Sequence, residues 1–524
     1  MFLSLRLIRG RIFDDLAWSC GILKRAMDFL NPRKERFHRA FLITSYCLIG
    51  IAIALLSWVL LKQTDGYCFS RDGTVNRCGL VFVSSQPKGA DVFIDGVERS
   101  FRTNGKINLQ SGEYAFRVSR TGYQDWKRTI TVVGGDVQRF DYPILFPNKL
   151  KTTNTLSFTG QLAFLTQSPS RRWLVGSEVA APSQIQVIDL RNNKDLSSET
   201  VSIESSVFTV ADSVQSWKVV EWSSDERHFL TLRSFTAEGS AAQEYIVMDR
   251  AGTQVRNVTR ELQLQPTDQV HFFDKKYDKF YVYNTETKGL RTARLGGEPP
   301  TSLQLNRVFA YKTYGDDTVL YVTDAPLGGT PKTGSVSVVL QQGTRSSMLR
   351  QLPVAERYVL DIAQYEGKWY VVAGSSALKG VYVFRNPLDA VLARPTDTPH
   401  PFRFLRLVSP QYVAFSANAR FIVAANRQNH AVYDLEQDDT YLYKAIDAID
   451  PPQEHATWMD GDRLSYISAG KVVVYEYDNI NRRVLQPGLP EYGVFFAPDY
   501  RYGYTVRSSG SGAPELAQTA YILP

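Results

Sequence analysis

WSSDERHFLTLRS, residues 222–234, decides the fold, because its plan returns three more times, in QSPSRRWLVGSEV (167–179), FSANARFIVAANR (415–427) and FAPDYRYGYTVRS (496–508). In each copy an apolar or aromatic strand ends near a Ser or Ala. A polar turn and a basic or aromatic residue follow, and an apolar strand resumes. Short apolar runs bounded by such turn residues read as β-hairpins. A third strand recurs downstream as IQVIDL (185–190), EYIVMDR (244–250), GVYVFRN (380–386), HAVYDLE (430–436) and KVVVYEYD (471–478). Weaker units begin near Val270, Val308 and Val359, and no helical periodicity interrupts the series.

First strands near Ala163, Val219, Val270, Val308, Val359, Val413, His455 and Val494 give eight units spaced about 38–56 residues apart, against the ~40–50 of four-stranded propeller blades. The turn is similar to the Ser-Pro-Asp-Gly-Lys type turn of TolB-like and WD-type β-propeller repeats. Two copies keep the Pro, as Pro169 and Pro498, and none keeps the Gly. After Val494 there is room for three strands, ending in TAYILP, and Thr153–Thr159 can supply the fourth, closing the ring and leaving no free edge. The expectation is a mainly β protein with an eight-bladed propeller over 148–524; seven blades, with one weak unit an insertion, is the alternative.

Upstream lies AFLITSYCLIGIAIALLSWVLL (40–61), which holds no Asp, Glu, Lys or Arg. At ~1.5 Å per residue such a helix is ~33 Å long, enough to cross a bilayer. Arg33, Lys34, Arg36 and Arg39 precede it and a single Lys62 follows, which places the N-terminus in the cytoplasm. An uncleaved anchor is preferred to a signal peptide, because the apolar run exceeds ~7–15 residues and LLSWVLLKQTDG offers no small-residue cleavage site. Within 1–39, Leu16, Cys20, Leu23, Met27 and Leu30 recur at helical spacing, so residues 12–30 read as an amphipathic helix, lying on the inner leaflet, docking a partner, or serving as a solvated lead-in.

The formal charge of +7 belongs mostly to this leader: residues 1–39 carry nine basic and four acidic side chains, a balance of +5. From Lys62 onward the balance is 51 against 49, or +2, which counts against a nucleic-acid binder.

Outside the membrane, YCFSRDGTVNRCG places Cys68 and Cys78 around an Asp72-Gly73 turn signal, giving a disulfide-pinned hairpin over 62–78. A two-residue turn sets Cys68 opposite Arg77, and a three-residue loop sets it opposite Cys78. A metal site is the alternative, but two Cys without nearby His are too few ligands.

Residues 79–147 read as a compact all-β module with strands over 80–84, 90–94, 114–119, 126–133 and 138–145. Pro87, Gly89 and Ala90, then Val92, Ile94, Asp95 and Gly96, then Gly112 and Tyr114, and finally Gly122 and Tyr123 follow the order of the PEGA domain, which this segment resembles. It departs from that pattern at Lys88, often Glu in the family, and at Thr103-Asn104, where Thr-Pro is common. The resemblance implies a small β-sandwich-like module of bacterial or archaeal envelope proteins, with a binding or spacing role and no catalysis. Its glycines serve structural turns.

The six histidines, His38, His228, His271, His400, His430 and His455, form no HExxH or other metal spacing, and there is no GxSxG elbow, Walker loop or sialidase Asp-box. Loop carboxylates Asp316-Asp317, Asp438-Asp439 and Asp460-Gly-Asp462 are the candidates for glycoside cleavage, and Asp460, Asp462 or Asp72 for calcium. Asn257-Val-Thr259 fits a glycosylation sequon. Tyrosine groups at Tyr277, Tyr281 and Tyr283, and at Tyr492, Tyr500, Tyr502 and Tyr504, offer faces for sugars or proteins.

The sequence therefore points to a single-pass cell-membrane protein with extracytoplasmic PEGA-like and propeller domains. Its expected role is non-catalytic binding or scaffolding of cell-wall polymer or envelope proteins, with no cofactor, metal or nucleic acid. A tethered glycan- or peptide-active hydrolase and an envelope sensor are the alternatives.

Overall fold

The computed structural model describes residues 32–64, 66–69, 75–192, 196–213, 215–301, 303–326, 334–389, 398–510 and 512–522. The expected amphipathic helix of 12–30 and the Asp72-Gly73 turn lie outside these residues.

Helix α1, Pro32–Thr64, contains the apolar run, and its segment Arg39–Lys62 is long and apolar enough to cross a membrane, with none of it buried by protein. The described chain divides into two compact units, the helix counted with the first. One runs up to Ser84 and adds 94–116 and 129–141, and the other comprises 85–93, 117–128 and the chain from Tyr142 onward.

In the first unit, Val75–Val83 pairs with Tyr67–Phe69 and Gly105–Gln110 antiparallel and with Val137–Phe140 in parallel. Another sheet, not confined to that unit, has the order Val97–Arg102, Asp91–Ile94, Gly112–Ser119, Trp126–Val132. Val97–Arg102 and Gly105–Gln110 were not expected as strands. Their sequences, VERSFR and GKINLQ, are half-exposed and carry few apolar residues to signal them. The expected Cys68–Cys78 register is corrected: Cys68 faces Asn76, and Phe69 faces Val75. Phe69 and Val75 pair with five positions between them, whereas a three-residue loop sets Cys68 opposite Cys78. The two cysteines nonetheless form a disulfide, with Cα atoms 5.7 Å apart.

The second unit is built from four-stranded antiparallel sheets. Sheet 1 orders Leu162–Gln167, Trp173–Glu178, Gln184–Asp189 and Ser197–Ser202 in sequence. Six more repeat this meander over 216–257, 268–305, 308–353, 358–406, 412–444 and 457–487, here sheets 2 to 7. Sheet 8 takes Val494–Phe496, Tyr502–Ser508 and Pro514–Ala520 and adds Lys151–Ser157 as its outer strand, antiparallel to Pro514–Ala520. The first strands begin within about three residues of their expected positions.

Packing closes these sheets into a ring. Each buried apolar cluster joins one sheet to the next: Phe164, Val175 and Val187 meet Phe229 and Ile246 between sheets 1 and 2, and Val371 and Phe384 meet Leu320 and Val338 between 5 and 4. The series ends where Leu174 and Ile188 of sheet 1 pack on Tyr504, Val506 and Leu516 of sheet 8. Middle strands are covered on both faces, so Thr318–Thr323 is buried throughout, while the first strand Leu162–Gln167 alternates. The architecture is a β-propeller.

The recurrent turn explains itself at the backbone. Arg171, Glu226, Ala419 and Tyr500 occupy the position that is Gly in the similar repeats, and all four hold φ between +55° and +65°. The preceding residue supplies the turn's acceptor: Ser170 Oγ, Asp225 Oδ1, Asn418 Oδ1 and Asp499 Oδ1 each receive the N–H two residues on, at 2.9–3.3 Å.

Candidate functional site

First strands of neighbouring sheets bond to one another, which places them on the inside of the ring. Phe272 N donates to Glu221 Oε1 at 2.6 Å, Phe415 N to Asp361 Oδ2 at 2.9 Å, and Gln167 Nε2 to the Phe496 carbonyl at 2.9 Å. The inner carboxylates are also ion-paired. Burial alone would raise the Glu221 pKa, but His271 at 3.2 Å and the Lys275 ammonium hold it at about 2. Asp361 faces Lys312 Nζ at 3.1 Å. Held ionised beside the Lys275 ammonium, Glu221 is unsuited to general-acid work.

At the end of the ring where first strands turn into second strands, the turn arginine meets an aspartate at the end of the third strand. Arg227 Nε lies 2.8 Å from Asp249, Arg420 Nε 3.0 Å from Asp434, and Arg172 Nη2 3.3 Å from Asp189. On sheet 7 the corresponding acid is Glu476, facing Arg463 in the register as Asp434 faces Phe421. It is partnered by the segment 117–128: Arg128 Nη2 approaches Glu476 at 2.9 Å and Asp478 at 2.7 Å, and Trp126 Nε1 donates to Glu476 at 2.5 Å. Burial raises the Glu476 and Asp478 pKa values against the lowering charge of Arg128, and burial with the Asp460 charge brings Asp462 to about 6.

The loop carboxylates expected for catalysis or calcium are not gathered. Asp438 binds Arg403 and the Tyr433 hydroxyl, Asp317 accepts from Thr318 Oγ1, and Asp460 is paired with Arg463 at 2.7 Å. Among the described residues no three His, Cys, Asp or Glu side chains converge on a metal position. Asn257 of the sequon is buried, its Nδ2 donating to the Val207 carbonyl at 3.0 Å and to Glu244 at 2.8 Å, so it is no acceptor for sugar. The tyrosine groups do not form an exposed platform either. Tyr281, Tyr283 and Tyr504 are buried; Tyr277 stacks on His228 at 3.8 Å, and Arg171 covers Tyr500 at 4.4 Å.

The opposite end of the ring carries a cavity that no sequence motif marks. It has a volume of about 570 Å³ and opens where the connections into the first strands of sheets 5, 6 and 7 meet the turn between the second and third strands of sheet 6. Arg357, Gln411, Arg427, Gln428, Gln453 and Glu454 give it a polar lining, and Ala448, Ile449 and Pro451 an apolar part. Gln428 Nε2 is fixed on the Asp447 carbonyl and Gln453 Oε1 on Ile467 N, each at 2.8 Å. Arg357 reaches Glu454 at 3.4 Å, with both side chains half exposed or more. These residues come from connections up to about a hundred positions apart and share no motif, so only the folded ring brings them together.

In the first unit and the segments beside it, the motif residues serve turns. Gly89, Gly96 and Gly122 have φ of +76°, +80° and +86°, Asp95 has +52°, and Asp95 Oδ1 accepts Ala115 N at 2.8 Å, next to Tyr114 in the strand that Gly112 opens. Ser85 Oγ donates to the Pro87 carbonyl at 2.7 Å, and Ala90 and Tyr123 are buried.

Residues 78–145 match the PEGA domain. The match includes Cys78 of the disulfide and every one of these PEGA turn residues. No curated protein sequence matches the chain. Solved structures similar to it include the Dos1 propeller, at 12% identity and a TM-score of 0.40 over 71% of this chain and 95% of that one. Others are apo AztD from Citrobacter koseri (12%, TM-score 0.36, 76% and 96%) and the Cps50 (Swd1) β-propeller domain of Myceliophteria thermophila (12%, TM-score 0.36, 62% and 99%).

Proposed function

We propose that this protein is a single-pass membrane-anchored envelope protein, N-terminus in the cytoplasm, whose extracytoplasmic PEGA domain and eight-bladed propeller bind or scaffold cell-wall polymer or envelope proteins without catalysis. The observation that carries the reading is the division of chemistry in the ring. Its inner carboxylates are tied to lysines and backbone donors, whereas an open polar cavity at one end holds Arg427 with no partner among the described residues. The apolar helix and the basic residues before it support the placement.

A cysteine introduced at exposed Val354, in the connection into sheet 5, tests that placement. The Val354→Cys chain should react with a membrane-impermeant maleimide in intact cells. Reaction only after permeabilisation would overturn the topology. Full-length protein, crosslinked in membranes and recovered in detergent, should carry a reproducible envelope protein or wall fragment.

A further inference from the structure

We infer that the cavity between sheets 5, 6 and 7 binds an acidic peptide segment of a partner protein, taking its carboxylates on Arg427 and Arg357. The inference rests on the binding role proposed above and gives that role its site and partner class. Arg427 is exposed at the turn between the second and third strands of sheet 6 and has no hydrogen bond or ion pair among the described residues. Among the described residues the Arg357 guanidinium has only the exposed Glu454, 3.4 Å away, and such a pair is worth little in water. An incoming carboxylate can displace Glu454 and lie bidentate on a guanidinium fork.

Gln428 and Gln453 are each anchored by one end of the amide, so the carbonyl of the first and the NH₂ of the second are left to meet a peptide's N–H and C=O. Among the described residues no aromatic side chain lines the cavity, so they offer none of the stacking faces that suit sugar rings. Aliphatic side chains stand nearby in sequence on three consecutive connections. Val354, Val408 and Ile446 are 58%, 67% and 68% exposed, just before Arg357, Gln411 and Ala448 respectively. Exposed aliphatics on these connections, together with one arginine unpartnered among the described residues, Arg427, and one weakly paired arginine, Arg357, suit a peptide that alternates acidic and aliphatic residues better than a uronic acid polymer.

The test uses the full chain in detergent micelles and a fluorescein-labelled Leu-Glu-Leu-Glu-Leu-Glu peptide, read by anisotropy. Saturable binding is expected, weakening with salt, absent for the peptide with Lys in place of Glu, and not displaced by polygalacturonate. Arg427→Gln should weaken it about tenfold, and Arg357→Gln on top of that should abolish it in the accessible range. Both substitutions are at exposed positions, so an unchanged melting transition separates lost binding from lost fold. No saturable binding, equal binding by the double variant, or displacement by polygalacturonate would overturn the inference. Retention of the double variant on envelope fractions as tightly as the parent would overturn the cavity alone, leaving the binding role standing. Failure of the parent itself to be retained would overturn that role.

Discussion

Arg128→Ala should destabilise the propeller by about 3–5 kcal/mol, the range for removing one partner of a buried ion pair. The guanidinium is 9% exposed and serves two acids, Glu476 at 2.9 Å and Asp478 at 2.7 Å, whose side chains are 3% and 11% exposed. It also donates to the Tyr477 hydroxyl at 2.8 Å. Truncation leaves both carboxylates in a site that already raises their pKa values through burial, and it removes the charge that opposes this rise. The loss must depend on pH in a definite direction. With their folded pKa values raised further in the variant, the acids contribute least at high pH, where they must ionise unpaired, and the deficit shrinks as pH falls and they take up protons. Urea unfolding of the full chain in detergent, followed by tryptophan fluorescence, measures this at pH 7.5 and pH 5. Adding Glu476→Gln and Asp478→Asn to Arg128→Met should recover most of the loss. A cost below ~1 kcal/mol at pH 7.5, or the same cost at both pH values, would refute the reasoning.

Ala419→Gly should stabilise by about 1 kcal/mol, since Ala419 holds φ +59° at a Gly-type turn position, and a rise in the urea midpoint checks it. Asp462→Asn should stabilise by up to ~3 kcal/mol at pH 7.5 and not at all at pH 3.5. The parent's folded pKa of about 6 lies above the ordinary 3.8, so its stability is lost as pH rises between those values. Gly380→Ala should cost at least ~2 kcal/mol, because a Cβ there would collide with the Leu405 carbonyl and the Phe404 ring; the same unfolding curves show it. Reduction should add two hydrogens to the intact mass and lower stability by roughly 3 kcal/mol, from a loop of sequence separation 10 between Cys68 and Cys78.

The ring was legible because its information is local and repeated. A Ser or Ala, an Asx-type acceptor and an arginine recur at fixed offsets, and strands buried on both faces write themselves as VLYV or KVVVY runs. Polar strands such as Val97–Arg102 left no such trace, and the hairpin register failed because it turned on the length of one loop. The cavity was illegible for a different reason. Arg357, Arg427 and Glu454 are unremarkable loop residues until closure of the ring sets three connections side by side. The loop acids misled in the converse way: in sequence Asp460 and Asp438 stand free of partners, and in the fold arginines 463 and 403 occupy them.

The central claim, a ring that binds without cleaving, is tested most directly by incubating the full-length protein with isolated cell-wall and envelope-protein fractions and following both phases over time. The account predicts that the protein sediments with its partner while the supernatant gains no soluble glycan or peptide fragments. Fragments that accumulate in proportion to protein and time would contradict it.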